Sequence, residues 1–254
     1  MLRLLLSAVL LSSALPVPAA LLAYYSFDGQ DGSDSSGNGL NGVGVSSPGY
    51  SSTELPSGIT TSHSLALDGS GQRISVPHDP LLGFGGGQVT MSFWMKSGSS
   101  TSWLRVLSKN VGGAGFELQR NSNSSNGEIR VDTSSGTNQR TTVGTSFDGG
   151  WNHVVISLDN GDITAWTNGV KTTGTYSAGT GFSNSADLII GTNQSGGNAF
   201  NGWIDDVALW DTTLSDSSAA ALFAGASPLS IVPEPSTSLM LVGSVFMVVA
   251  RRRR

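Results

Sequence analysis

The chain of 254 residues contains no cysteine. This absence excludes disulfide bonds, thiol chemistry and attachment of a lipid to a cysteine. A secreted domain without disulfide bonds depends for its stability on its hydrophobic core, on a bound metal ion, or on both.

Basic residues are also scarce, with 13 lysines and arginines against 18 acidic residues. Five of the 13, Arg3 and residues 251–254, lie at the chain ends. With Glu234 also set aside, the region between the ends has eight basic and 17 acidic residues. Nucleic-acid binding needs clustered lysine and arginine, so we expect no nucleic-acid partner.

Long apolar runs are missing as well. The runs at residues 4–15 and 239–250 are both shorter than the roughly 20 residues that a stable membrane span needs. The first run follows the basic Arg3 and precedes small residues, with cleavage expected after Ala19 or Ala20. This is the pattern of a secretory signal peptide, so the sequence predicts export through the Sec machinery.

The second run lies between a proline-rich box and a basic end. The box is Pro233, Glu234 and Pro235, and the basic end is Arg251, Arg252, Arg253 and Arg254. Arginines beside an apolar segment stay on the cytoplasmic side of a membrane. Box, run and arginines in this order resemble the PEP-CTERM sorting signal. The resemblance implies a bacterial protein held transiently in the inner membrane by a hydrophobic helix and then clipped by an exosortase. An ordinary tail anchor is the alternative.

The region between the ends is rich in turn residues, including most of the 34 glycines of the chain. Alternating apolar and polar residues over 89–96 predict a strand with one buried and one polar face. Asn-Gly pairs at 160–161 and 168–169 separate further alternating runs and predict hairpin turns. A capping residue before 216 and the glycine at 225 predict a helix over residues 216–224.

Several segments, taken in order, resemble the LamG-like or concanavalin A-like jelly roll of bacterial surface proteins. They are residues 25–28 (YSFD), 64–69 (SLALDG), 90–96 (TMSFWMK), 151–153 (WNH), 167–169 (TNG) and 200–207 (FNGWIDDV). The resemblance implies an all-β fold, a two-sheet antiparallel jelly-roll sandwich with one short C-terminal helix. The expected organisation is a signal peptide at 1–20, the sandwich at 21–226, a linker with the proline box at 227–236, and the hydrophobic sorting helix with its arginine tail at 237–254.

The resemblance also implies that a structural calcium ion lies near the first and last strands, as in some members of the family. Calcium binds several carboxylate, amide and carbonyl oxygens. The candidate ligands are Asp28, Asn41 and Asp206, with Asp205 and Asp68 in reserve. The alternative is a network of turns and caps without metal, because Asp and Asn favour turns in any case.

Glucanases share this fold and need two carboxylates that flank the scissile bond. Their characteristic Glu-x-Asp-x-x-Glu strand does not occur in this sequence. Glu117 offers one carboxylate, and Glu128 with Asp132 offers two on one strand face beside a predicted loop. The sequence therefore predicts that the protein is not an enzyme.

Aromatic residues are the other candidates for ligand binding. Trp94, Trp151, Trp166, Trp203 and Trp210 fall on predicted strands, where packing is the simplest role. Trp103, Tyr176 and Phe200 lie near polar loops and are the candidates for stacking on a sugar.

Together these features predict an exported, non-catalytic surface or matrix protein. Its jelly roll would bind an exopolysaccharide or a surface protein. A polysaccharide-active hydrolase or lyase on the same fold, or a purely structural module, are the alternatives.

Overall fold

The computed structural model describes residues 21–98, 103–111, 114–120, 126–132, 138–146, 149–176 and 184–231. All of them lie in one compact unit, Ala19–Val232. The predicted signal peptide and the predicted sorting segment from residue 232 onward lie outside the described residues.

Strands dominate the described part of the chain, in agreement with the predicted all-β class. In chain order they are β1 (Leu21–Tyr25), β2 (Val43–Val45), β3 (Gly49–Ser51), β4 (Ser64–Asp68), β5 (Arg73–Val76), β6 (Gln88–Ser97), β7 (Arg105–Val111), β8 (Ala114–Arg120), β9 (Asn126–Asp132), β10 (Asn138–Ser146), β11 (Asn152–Asp159), β12 (Asp162–Thr167), β13 (Val170–Thr175), β14 (Leu188–Ile190) and β15 (Asn201–Trp210).

The strands form two antiparallel sheets. The first has the order β13-β12-β11-β6-β15-β4-β3, with β1 also paired to β15, and the second has the order β10-β9-β8-β7-β14-β5-β2. Alternate residues of both sheets point into one shared core. From β6 these are Val89, Met91, Phe93 and Met95, each fully buried. The predicted jelly-roll sandwich is confirmed.

The opposite side of β6 is buried too, so the prediction of a half-buried strand is wrong. Thr90, Ser92 and Trp94 are all buried. Thr90 donates to the carbonyl of Thr212, and the helix α1 (Asp216–Phe223), which follows this segment, packs on the outer face of the first sheet. Leu222 of this helix belongs to a second apolar cluster that also includes Trp210. The helix therefore covers part of the outer face of the first sheet.

The predicted turns and helix are confirmed. Asp159 pairs with Asp162 across the first Asn-Gly turn, and β12 and β13 join at the second. The helix begins after Ser215, whose hydroxyl accepts a hydrogen bond from the backbone N–H of Ser218 at 3.2 Å. Such a cap satisfies a donor that the helix leaves unpaired.

The chain continues to pack after α1. A 3-10 helix, Pro228–Ser230, buries Pro228, and Ile231 and Leu21 both pack against the second cluster. Residues 227–231 of the predicted linker therefore belong to the folded domain. No helix within the described ranges is long and apolar enough to cross a membrane.

Candidate functional site

A shallow trough opens where β15 begins beside β4 and β6. Trp203 lies opposite Ala66 on β4 and Lys96 on β6. Gly202 has φ of +142°, and a Cβ at this position would lie 2.1 Å from the carbonyl oxygen of Lys96. Only glycine allows the strands to approach this closely.

The trough has a volume of about 290 Å³. We call it the Trp203 trough, and its lining includes Ser47, Gly49, Asp68, Gln72, Asn201 and Trp203.

The indole of Trp203 is partly exposed and held in place by a cation. The ammonium group of Lys96 lies 5.2 Å from the centre of the Trp203 ring, a distance at which the ring attracts a positive charge. Lys96 is itself fixed by an ion pair of 2.6 Å with Glu54. The ring therefore has a defined orientation at the edge of the trough.

Amide and carboxylate groups form the rim of the Trp203 trough. Asn201 Nδ2 donates to the carbonyl of Asp68 at 3.0 Å, and Gln72 Oε1 accepts from the N–H of Asp68 at 3.0 Å. Hydrogen bonds from Ser70 lower the pKa of Asp68, so its carboxylate is charged at neutral pH. A flat apolar ring beside polar groups can bind a sugar, whose C–H face contacts the ring while its hydroxyls bond to the rim.

The predicted stacking residues do not share this trough. Phe200 is fully buried and Tyr176 is 6% exposed, and both belong to the core between the sheets. The prediction is wrong for these two, because a buried ring presents no face to a ligand. Trp103 is partly exposed, and its role stays a prediction. Sequence reasoning assigned Trp203 to packing. Successive residues of a strand point to opposite faces, and the neighbouring Ile204 is buried in the core, so Trp203 points to the outer face.

A cluster of acids lies where β15 changes its partner. Residues 201–204 pair with β4 and residues 207–210 pair with β1. Asp205 still pairs with Trp94 of β6, and the register with β6 shifts between Asp205 and Ala208, so Asp206 lies in a bulge. Asp206 Oδ1 accepts the Tyr24 hydroxyl at 2.5 Å. Asp28 Oδ1 accepts the backbone N–H of Ser62 at 2.6 Å. Asp205 is fully buried, and its Oδ2 has no hydrogen-bond partner in the described residues.

This environment favours the protonated forms of the two adjacent acids. Burial, with the charge of Asp206 adding to it, raises the pKa of Asp205 to about 8. Burial also raises the pKa of Asp206 to about 6. The bond from Tyr24 opposes that rise because it stabilises the charged carboxylate.

The sequence model of the concanavalin A-like lectin/glucanases superfamily matches residues 68–220. The chain belongs to this superfamily. The PEP-CTERM protein-sorting motif matches residues 232–254, and it marks proteins that are exported and sorted to the cell envelope or the extracellular space by an exosortase. A comparison with curated proteins found no significant match.

Solved structures share this fold at low sequence identity. Domain 4 of AbnA, an extracellular GH43 arabinanase from Geobacillus stearothermophilus solved with arabinotriose, is 22% identical with a TM-score of 0.62, over 81% of this chain and 99% of that chain. The binding domain of Paraclostridial Mosquitocidal Protein 1 is 18% identical with a TM-score of 0.65, over 80% of this chain and 52% of its own. The receptor binding domain of botulinum neurotoxin C/D mosaic serotype is 14% identical with a TM-score of 0.61, and the match covers 80% of this chain and 51% of that chain. The chain therefore spans about half the length of these toxin domains.

The predicted calcium ligands of this concanavalin A-like domain are only partly brought together. Asp28, Asp205 and Asp206 lie close enough to raise one another's pKa or that of Tyr24. Asn41 accepts a hydrogen bond from the N–H of Asp34 instead, and Asp68 lines the Trp203 trough. Within the part of the chain that the structure describes, no three or more Asp, Glu or His side chains are placed to hold a metal ion. The predicted ligands therefore do not form one set, and the calcium ion stays a prediction.

We expect removal of calcium with EDTA to leave the melting temperature unchanged, because protein donors already occupy Asp28 and Asp206. Differential scanning calorimetry of the full chain, with EDTA and after calcium is restored, checks this. A melting temperature several degrees higher with calcium would support the predicted ion and contradict this expectation.

The acid cluster also predicts how stability depends on pH. A carboxyl group whose pKa is raised on folding stabilises the fold while it is protonated, and this contribution is lost as the pH rises from about 4 through the folded pKa. Each pKa unit corresponds to about 1.4 kcal/mol, and a domain of this size shifts by about 2–4 °C per kcal/mol. We expect the melting temperature to fall by at least about 4 °C more between pH 5 and pH 8 in the wild type than in Asp205→Asn. Equal falls would contradict an ionisable Asp205 with a raised pKa.

Glu117, one of the carboxylates considered for catalysis, already has partners within the protein. Glu117 is buried on β8, and its two oxygens accept hydrogen bonds from Arg105 at 3.1 Å and Ser108 at 3.3 Å. A carboxylate bonded to a guanidinium is poorly suited to donate a proton to a leaving group. Glu128 and Asp132 lie on the neighbouring strand β9.

Proposed function

We propose that the protein is an exported, non-catalytic sugar-binding module. Its tail holds it transiently in the inner membrane, an exosortase removes the tail, and the domain remains in the envelope or the exopolysaccharide. The observation that carries the proposal is the Trp203 trough, in which an oriented indole and a polar rim lie side by side on a rigid sheet.

Two comparisons support this proposal. The arabinanase domain of similar fold was solved with arabinotriose, which is a neutral sugar of the kind that the Trp203 trough suits. The sorting motif delivers the domain to a compartment in which polysaccharides are the abundant polymers. The toxin domains are named as binding domains, so a protein ligand is the main alternative within the binding class.

A polysaccharide-active enzyme is a second candidate, for one specific reason. Glu117 pairs with Arg130 and Gln119 pairs with Glu128, so Glu117 and Glu128 are at diagonal positions of adjacent strands. Diagonal positions lie on the same face of a sheet, and glycosidases use two carboxylates that flank the scissile bond. A reducing-end assay on neutral polysaccharides tests this candidate, and turnover lost in Glu117→Gln would establish it. We expect no turnover, because Glu117 is paired with Arg105.

Replacement of Trp203 by alanine tests the proposed binding site. We expect affinity for a neutral trisaccharide to fall at least about tenfold, or about 1.4 kcal/mol, because the ring supplies the apolar contact. Isothermal titration with arabinotriose, mannotriose and cellotriose measures this change. Trp103→Ala is the matched control, since it removes a partly exposed indole from another place. Loss of binding in Trp103→Ala alone would move the site to Trp103, and failure of the wild type to bind any sugar would contradict the proposal.

A further inference from the structure

A second trough opens on the same face of the first sheet. It lies at the end of the β11–β12 hairpin, beside the start of α1, and has a volume of about 380 Å³. We call it the Thr164 trough, and its lining includes Ser157, Asp159, Asp162, Thr164, Thr213 and Asp216.

Hydrogen bonds within the protein fix the walls of the Thr164 trough. Asp216 Oδ1 accepts from Trp166 Nε1 at 3.1 Å and from Lys171 Nζ at 2.8 Å, which ties the start of α1 to β12 and β13. Asp159 Oδ1 accepts from Gln88 Nε2 at 2.9 Å. On the other side, Ser157 Oγ lies 2.7 Å from a Thr90 hydroxyl that also donates to the carbonyl of Thr212. The trough therefore has a fixed shape.

Three polar side chains in the Thr164 trough remain available. In the described part of the chain, Thr164, Thr213 and Asp162 make no side-chain hydrogen bond. Two hydroxyls that donate and accept, beside a carboxylate that accepts, match the hydroxyl groups of a sugar.

The charge of both troughs selects against acidic sugars. Three carboxylates and the ammonium of Lys171 line the Thr164 trough, so its net charge is negative. The Trp203 trough carries the charged Asp68, and the ammonium of Lys96 beside the ring is neutralised by Glu54. A uronic acid would place like charges close together at either trough, which is unfavourable. The ligand class is therefore a neutral, hydroxyl-rich polysaccharide.

The two troughs lie at opposite ends of β6. The ammonium of Lys96, at one end, lies near the ring of Trp203, and Gln88, at the other end, donates to Asp159. The eight residue steps from Gln88 to Lys96 span about 26 Å at about 3.3 Å per step. The helix α1 packs on the sheet between the two ends. No single small sugar can fill both troughs, whereas a polymer can reach both.

We infer that the domain is bivalent, with the Thr164 trough as a second sugar site that acts with the Trp203 trough to hold or cross-link a neutral polysaccharide. This inference rests on the proposed function. Two linked sites can raise the affinity for a polymer by about 10²–10⁴ over that of one site. Two weak sites would thus give firm retention in a matrix.

Stoichiometry tests bivalency. Isothermal titration of the full chain with arabinotriose, and then with mannotriose and cellotriose, is expected to give two sugars bound per protein. The double variant Thr164→Val with Thr213→Val removes both hydroxyls with little change of volume, and should bind one sugar. Trp203→Ala should also bind one, and the triple variant none. Thr172→Val is the matched control, because Thr172 is exposed on β13 outside the trough, and it should still bind two.

Binding to the polymer gives an independent readout. In affinity gels with arabinan, mannan or dextran, loss of either trough should weaken retardation at least tenfold. A different outcome is one sugar bound per wild-type chain, with binding lost in Trp203→Ala and unchanged in the threonine double variant. That result would overturn the second site and leave the proposed function standing. No sugar bound by the wild type would overturn both. Stronger retardation by alginate than by neutral polymers would overturn the assignment of ligand class.

Discussion

Substitution of Gly202 by alanine is expected to lower the free energy of unfolding by about 4 kcal/mol or more, a size that single mutations reach only through a specific steric or chemical defect. The added Cβ would lie 2.1 Å from the carbonyl oxygen of Lys96 and 3.0 Å from the backbone nitrogen of Gly98. Both are backbone atoms, so no side chain can rotate away. The backbone φ of +142° adds strain for any residue with a Cβ. Urea denaturation followed by tryptophan fluorescence measures the change.

Gly85→Ala is the matched control for Gly202→Ala. A Cβ at Gly85 would meet no atom within 4 Å, so its unfolding free energy should change by less than about 1 kcal/mol. If Gly202→Ala were as stable as Gly85→Ala, the close approach of β15 and β6 that shapes the Trp203 trough would be wrong.

Replacement of Pro233, Glu234 and Pro235 by alanines is expected to abolish removal of the tail. The sorting motif spans residues 232–254 and includes the box. The three residues lie beyond Ile231, the last residue that the structure describes, so the substitution changes none of the described residues. Intact mass spectrometry of the protein recovered from its host should show the wild type without the segment beyond the box and the variant with it.

The double variant Ser236→Ala with Thr237→Ala controls for a change of sequence near the box. It should be processed like the wild type, since it leaves the box, the apolar run and the arginines intact. Processing of the triple alanine variant at the wild-type rate would show that the box is not the recognised element.

The sequence predicts those parts of the fold that depend on neighbouring residues. The Asn-Gly turns at 160–161 and 168–169 are local because the positive φ that they need belongs to two adjacent residues. The helix is local as well, since the cap Ser215 and the glycine that follows the helix lie within one short segment. Such signals survive in any tertiary context that does not oppose them.

The outer face of the first sheet could not be predicted in this way. Thr90 and Ser92 are polar and were expected to face solvent, yet both are buried. Thr90 bonds to the carbonyl of Thr212 and Ser92 lies near Leu222 of α1, both more than 100 residues later in the chain. Phe200 stands in a stretch of glycine and asparagine that indicated exposure. A hydrogen bond from its N–H to the carbonyl of Gly191 at 2.7 Å holds it at the edge of the core, where its ring is fully buried.

The two troughs could not be predicted because each is built from segments that lie far apart in the sequence. The Trp203 trough draws residues from 47–49, 66–72 and 201–203, and the Thr164 trough joins 157–171 to 213–216. No spacing in the sequence joins these segments. They meet because β15 pairs with β4 and because α1 folds back on β11 and β12.

The most direct test of the account is co-sedimentation of the exported protein with the exopolysaccharide of its own host, combined with a count of new reducing ends. We predict that the wild type sediments with the polysaccharide, that Trp203→Ala stays largely in the supernatant, and that no reducing ends appear. Equal sedimentation of both proteins, or reducing ends that increase with time, would contradict a non-catalytic domain that binds sugar at Trp203.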